Sequence, residues 1–249
     1  MAEIPCLICG HRADSKEHYI PQWLSKATGR PDEVIIKGSA AEGVVQSAQQ
    51  HGTAIEAFEE NLCRHCNNAL GNALESPVSG LLKPAMAGDF SAATSLSDNQ
   101  RQLIAWWAVV HALEHDFLEN RLDPEPKRQL LGMLGALIEG KKPALPTEVH
   151  VHIAKSVHPE VVFFLSKQLI DRKRGSVHAP GSFCWGMQAG HLILTVSRLP
   201  SGARPAEGWG FGVWPKATAE VPTYDDIRLY YAASKIETGV PISSAKITE

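Results

Sequence analysis

Apolar residues recur at helical spacing through the middle of the chain and alternate with polar ones toward its end. Leu103, Ile104, Trp107, Val110, His111, Leu113 and Leu118 mark one helical stripe, and Ser97-Asp98-Asn99-Gln100 before it offers side chains to cap free amides. A helix is therefore predicted from roughly Asp98 to Asn120. Trp107 falls on the stripe with Leu103 and Val110, so it is expected to be more buried than Trp106. A second helix follows Asp123-Pro124 and carries Leu130, Leu131, Leu134, Leu137 and Ile138 to a stop at Gly140. Further on the period changes. Val149–Ile153, His191–Val196 and Trp209–Trp214 read as strands, and Val161–Leu165 fits strand or helix. The last dozen residues, small and polar around Pro241, read as a loose tail.

The first quarter holds neither period for long. Pro21-Gln22-Trp23-Leu24 opens a short helix with Pro at its first position. Glu33–Lys37 reads as a strand, Thr53–Phe58 alternates as another, and Gly38, Gly43 and Gly52 punctuate the stretch. Ala69, Leu70, Ala73 and Leu74 predict a helix from near Cys66 to Glu75. These elements give an α+β fold in three segments: 1–75 with short mixed elements, 76–142 helical, and 143–249 β-rich with no role legible.

A chain of 249 residues with 44% apolar and 20% charged residues can bury a sizeable core. No apolar run of about 18 residues is present, so no membrane span is expected. Met1-Ala2-Glu3-Ile4-Pro5 lacks the basic and apolar regions of a signal peptide. The expectation is a cytoplasmic protein, where paired cysteines bind metal rather than form disulfides. Cys184, between Phe183 and Trp185, is expected to be a buried thiol. The net charge is −3, and residues 1–75 hold six Lys/Arg against ten Asp/Glu. Nucleic acid asks for a positive surface; carboxylates gathered around a divalent ion offset part of the imbalance. Arg172-Lys173-Arg174, close to Lys167, suits either a solvated turn or phosphate contacts.

Four of the five cysteines stand in two pairs, Cys6-Leu7-Ile8-Cys9 and Cys63-Arg64-His65-Cys66. Two such knuckles supply the four thiolates of a tetrahedral structural Zn²⁺ site. The 53 residues between the pairs exceed what a compact zinc ribbon needs, so a further element is built there. Between them stands Glu17-His18-Tyr19-Ile20-Pro21, and Asn67-Asn68 follows the second pair directly. A neutral imidazole at His18 suits a general base. The oxygens of Glu17 and Asn67 suit Mg²⁺ or another divalent ion that keeps open water positions. The knuckles then clamp the His18 segment against the helix that begins at the second pair.

Residues 6–75 resemble the HNH endonuclease family, a treble-clef-like ββα-metal fold, through Cys6-x-x-Cys9, Glu17-His18-Tyr19-Ile20-Pro21 and Cys63-Arg64-His65-Cys66-Asn67. The resemblance implies that His18 activates water and that Glu17 and Asn67 hold the catalytic ion. Glu-His-x-x-Pro-x-Trp-Leu with Cys-x-x-Cys-Asn-Asn and Leu74-Glu75 is similar to a bacterial subgroup of HNH-type proteins. With Ala105-Trp106-Trp107 the likeness extends to about residue 120. The chain departs from the pattern at Asn61, only two residues before Cys63. It departs again at Leu70-Gly71-Asn72, which leaves Asn68 and Asn72 as substitutes for Asn67.

His111-Ala112-Leu113-Glu114-His115 places two histidines four apart on a predicted helix, as in inverted zinc motifs of peptidases. No Glu occurs between Glu160 and Glu207 to serve as third ligand, and the tryptophans nearby favour a core helix. His150 and His152 share one face of a strand and are expected to be exposed rather than metal-bound. Two functions follow. One is a metal-dependent endonuclease that hydrolyses DNA phosphodiesters, with DNA as partner. The other is a catalytically inactive zinc-stabilised binding or scaffold protein, for which a protein partner or a second copy is the expected companion. They part at whether Glu17, His18 and Asn67 line one open cleft.

Overall fold

The computed structural model describes residues 4–15, 17–18, 21–27, 35–41, 44–50, 58–59, 62–119, 124–141, 143–166, 170–171, 177–178, 183–199, 204–205, 211–214, 221, 223–224, 236–237 and 242–243. In chain order the elements are β1 (Glu17–His18), α1 (Gln22–Ala27), β2 (Ile35–Ala41), β3 (Val44–Gln50), β4 (Phe58–Glu59), α2 (Arg64–Leu70), a π turn (Gly71–Glu75), α3 (Ser76–Met86), α4 (Ser91–Thr94), α5 (Asp98–Glu119) and α6 (Pro124–Ile138). There follow β5 (Val149–Ser166), β6 (Ile170–Asp171), β7 (Val177–His178), β8 (Phe183–Arg198), β9 (Arg204–Pro205), β10 (Phe211–Trp214), β11 (Thr223–Tyr224), β12 (Ile236–Glu237) and β13 (Ile242–Ser243). The fold is α+β. Among the described residues no helix is long and apolar enough to cross a membrane.

Local chemistry sets the long helices. At the start of α5 the Ser97 hydroxyl accepts from the Gln100 N–H at 3.3 Å, and Gln100 Oε1 accepts from the Ser97 N–H at 2.8 Å. This reciprocal capping box satisfies two amides that otherwise lack partners. Helix α6 starts with Pro124 and ends at Ile138, two residues before Gly140, whose φ of 77° is the left-handed conformation that favours glycine. There the Gly140 N–H donates to Leu137 O and the Lys141 N–H to Ala136 O, closing the last turn.

The helix predicted to end at Glu75 does not end there. Helical backbone runs from Arg64 to Met86, with the π turn between α2 and α3. The Ser76 N–H reaches back to Gly71 O, five residues away. Pro77 explains the widening. It carries no N–H for the carbonyl four residues back and its ring would crowd that carbonyl, so an expanded turn relieves both.

The central sheet is organised by β5. Along one edge it pairs antiparallel with β8, from Val149↔Arg198 to Ser166↔Cys184, with a register shift between Lys155 and Glu160. Its other edge is shared by β10, β11 and β2 in turn. Strand β2 forms a hairpin with β3 and lies parallel to the far end of β5, Ile36↔Val162 through Ala40↔Ser166. The long stretch between the cysteine pairs thus contributes a hairpin to the sheet of the C-terminal segment. Val161–Leu165 is strand, and Ile242–Ser243 in the expected tail pairs with β6.

One apolar core joins Cys6, Leu24, Leu70 and Leu74 to Trp107, Leu113, Val151, Leu194 and Val213. Every residue from Ile104 to Leu113 on α5 is buried. Trp106 and Trp107 are accordingly buried alike, each 1% exposed, rather than Trp107 the more so. Trp106 keeps its N–H satisfied by donating to Pro143 O at 3.0 Å. The end of α3 closes on β8 at Gly190, where φ is +58° and a Cβ would collide with Met86 O. No other residue type fits that approach.

His150 and His152 are not exposed as expected. His152 is 7% exposed and His150 half-buried, their rings stacked at 6.3 Å. Ala154, Ser156, Thr195 and Ser197, on the same pair of strands, are buried too. Both faces of β5 and β8 are therefore covered here, which alternation alone does not reveal. Burial pushes His150 down to about 4 and His152 down to about 3, so both rings are neutral near pH 7.

Candidate metal centre and the segment it clamps

The first knuckle is a tight turn. The Cys6 N–H donates to His11 O, Gly10 N–H donates to Cys6 O at 2.9 Å, and Pro5 and Arg12 form a β-bridge. Gly10, at φ 73°, supplies the left-handed residue just after Cys9. The second knuckle opens α2. Cys63 is its N-cap with extended backbone, and its sulfur accepts from the Cys66 N–H at 3.5 Å. Cys66 sits in the first helical turn, so both sulfurs face the same side.

The structure brings all four predicted thiols together. The Sγ atoms of Cys6, Cys9, Cys63 and Cys66 lie within 4.8 Å of one another, and Cys9 and Cys63 are 3.5 Å apart. A tetrahedral zinc with bonds of about 2.3 Å holds its sulfurs about 3.8 Å apart, so the cluster fits such an ion. Cys6, Cys63 and Cys66 are buried while Cys9 is exposed.

Proton affinity follows the same geometry. Burial raises the Cys6 thiol, but the amides of Cys9, Cys63 and Ile8 outweigh it and hold Cys6 near 7. Burial and the neighbouring sulfurs of Cys9 and Cys63 push Cys66 well upward. The His11 amide lowers Cys9, yet burial and the thiols of Cys6 and Cys63 prevail and the net shift is upward. Four thiolates cannot share this space without a cation, which would displace their protons on binding.

Two short strands lie between the knuckles in sequence and precede α2. Strands β1 and β4 are antiparallel, with Glu17 opposite Glu59 and His18 opposite Phe58, and α2 begins five residues after Glu59. The segment before β1 is tied to the start of α2. Asp14 Oδ1 accepts from the Arg64 N–H at 2.8 Å, and the Ser15 N–H donates to Leu62 O at 3.2 Å. Asn67 Nδ2 donates to Ser15 Oγ at 2.6 Å. Of the three asparagines in question, Asn67 is half-buried on this side and Asn68 and Asn72 are exposed.

Asp14 and Ser15 escape a reading of the sequence. Each meets its partner from about 50 residues away, and neither lies in a recurrent motif. The side chains of Glu17 and His18 lie outside the described residues, as do the side chain of Cys184, Asn61, Lys167 and residues 172–174. The convergence of Glu17, His18 and Asn67 on one cleft lies there too.

The second histidine motif is part of the core. His111 is 4% exposed, with Trp107 edge-on at 4.4 Å and Trp185 stacked at 6.4 Å. Its Nε2 lies 3.8 Å from Glu75 Oε1, a carboxylate brought in by the π turn. The side chains of Glu114 and His115 lie outside the described residues. No protein-family model, no curated protein and no solved structure matches the chain.

Proposed function

We propose that the chain is a cytoplasmic metal-dependent endonuclease of HNH type that hydrolyses DNA phosphodiesters, with a structural zinc in the four-cysteine cluster. The observation that carries the proposal is the tie between the segment leading into β1 and the start of α2. Thiols on both sides of Glu17-His18, together with the Asp14–Arg64 and Ser15–Asn67 hydrogen bonds, join the residues just before Glu17-His18 to the helix that bears Asn67. Zinc would staple a small module whose own core is thin.

In this proposal His18 takes a proton from the attacking water. Neutral imidazole is available near pH 7, and a base of that strength matches the task. Glu17 and Asn67 offer one carboxylate and one amide oxygen, donors suited to Mg²⁺ or Mn²⁺. When bound, such an ion supplies charge neutralisation at the phosphate and the leaving oxygen. The residues themselves hold the donor atoms and accept the proton.

Supercoiled plasmid incubated with purified protein and Mg²⁺ or Mn²⁺ should be nicked. His18→Ala should lower the rate by about 10²–10⁴-fold with the fold intact. The wild-type rate should rise with pH and then level off as a general base loses its proton, and His18→Ala should lack that rise. Equal cutting by wild type and His18→Ala would dismiss the mechanism and leave a zinc-stabilised scaffold.

A further inference from the structure

We propose that Cys9 is an oxidative modification site: a peroxide enters the four-thiol centre at its sulfur, and Cys63 then closes a disulfide that expels the zinc. The proposal rests on the zinc assignment within the endonuclease reading and is independent of DNA cleavage.

The four sulfurs share one centre but differ in access. Cys6, Cys63 and Cys66 are 3%, 7% and 1% exposed and belong to the apolar core, whereas Cys9 is exposed. The space beside Cys9 is open as well. A Cβ placed on Gly10 would meet nothing within 4 Å, and His11 beyond it is exposed. The tight turn of the first knuckle is the cause, because it packs Cys6 inward and leaves Cys9 at its outer end. A thiol that coordinates a cation is held as thiolate, the form that attacks peroxides. Susceptibility to oxidation then follows access. Three of the sulfurs have the charge without the access, and Cys9 has both.

The chemistry balances with these thiolates and one molecule of hydrogen peroxide. The Cys9 thiolate attacks one peroxide oxygen, the O–O bond breaks, Cys9 becomes a sulfenic acid and hydroxide leaves. The Cys63 thiolate attacks the Cys9 sulfur, an S–S bond forms and a second hydroxide leaves. Solvent protons take both hydroxides to water. Two thiolates have lost two electrons and the peroxide has gained them. Cys63 is placed for the second step, since its sulfur lies 3.5 Å from that of Cys9 although the residues are 54 positions apart. Cys6 and Cys66 remain as ligands, and two thiolates no longer close a tetrahedral site. The knuckles stay joined, by a covalent bond in place of the ion.

The test treats zinc-loaded full-length protein with hydrogen peroxide beside a colorimetric zinc chelator and maps the cysteines by peptide mass spectrometry. Zinc should be released at about one peroxide per ion, with a Cys9–Cys63 disulfide in the recovered protein. Dimedone, which traps sulfenic acids, should label Cys9 ahead of the other three when peroxide is limiting. A phosphine reductant with fresh zinc should restore the metal. Cys9→His keeps four ligands in a set found in structural zinc sites, and should release zinc on the order of tenfold more slowly. Should that variant take up no zinc, the labelling order in the wild type decides.

Dimedone first on Cys6, Cys63 or Cys66 would overturn the proposal and leave the zinc centre standing. So would a disulfide within either knuckle or to Cys184, or zinc retained under peroxide. A protein that binds no zinc would overturn the proposal and the zinc assignment together. Zinc release in the pattern above from a protein that never cuts DNA would keep the modification site and dismiss the nuclease.

Discussion

Around the cysteine knuckles most side chains face water: Ile4, Cys9, His11, Arg12, Asp14, Arg64 and His65 are all exposed. Along β5 and β8 the balance is opposite, with Val149, Val151, Ile153, Ala154, Leu192, Leu194 and Val196 at most 1% exposed. The contrast is physical rather than descriptive. A covered sheet is stabilised by apolar surface removed from water, on the order of 1.5–3 kcal/mol per large side chain. The knuckles bury only a few small contacts of their own, such as Ala13 and Leu62 with Leu7 and Ile8 packed on the core, so the ion that the thiols enclose is expected to supply much of their order. Where the two regions meet, Leu24, Leu70, Leu74 and Trp107 join the common core. The candidate site therefore stands on a conditional part of the molecule bolted to an unconditional one.

The largest expected effect separates the two regions outright. Cys63→Ser, or thorough chelation, should unfold the knuckles, α2 and the β1–β4 pair, because metal binding energy in such sites is folding energy. Hydrogen exchange followed by mass spectrometry should show those amides losing protection while β5 and β8 keep theirs. Unaltered protection at residues 62–70 after chelation would break the contrast. Next comes the joint between the regions. Trp107 packs against Trp23 at 5.7 Å and against His111, so Trp107→Ala should cost about 3–5 kcal/mol in denaturant unfolding. A cost below about 1 kcal/mol would mean that the joint is not the packed core described.

The smallest effect concerns the sheet alone and is a pH dependence. His152 is near 3 in the folded chain, below the value near 6.5 of an unfolded histidine. As pH falls the unfolded chain therefore takes up the proton first. The stability of the buried neutral ring is complete above about 6.5 and is lost progressively as pH falls toward 3. Between pH 7 and pH 5 the loss should be on the order of 2 kcal/mol, with half-buried His150 acting in the same direction. His152→Gln should flatten that slope in urea unfolding. An equal slope in the variant would mean that His152 is not the buried neutral ring described.

Features written in adjacent residues were legible before the structure. The Ser97 cap, the stop at Gly140 and the two cysteine spacings each act over a few residues, and each is found where expected. Features that depend on a distant partner were not. Nothing in Glu33–Lys37 says that its strand will lie parallel to Val162–Ser166, and nothing in Ser15 points to Asn67. Alternation at His150 and His152 identified a shared face but not that the face is covered. Helical periodicity around Leu70 and Leu74 likewise could not show that Pro77 would be absorbed by a π turn instead of ending the helix.

The central claim is that four thiols form one metal centre that clamps the Glu17-His18 strand to the Asn67 helix. X-ray absorption at the zinc edge of the purified full-length chain tests it most directly. One equivalent of zinc with four sulfur neighbours at about 2.3 Å is the predicted result. A zinc bound by nitrogen and oxygen, or a protein that stays folded at residues 62–70 with no metal, would contradict it.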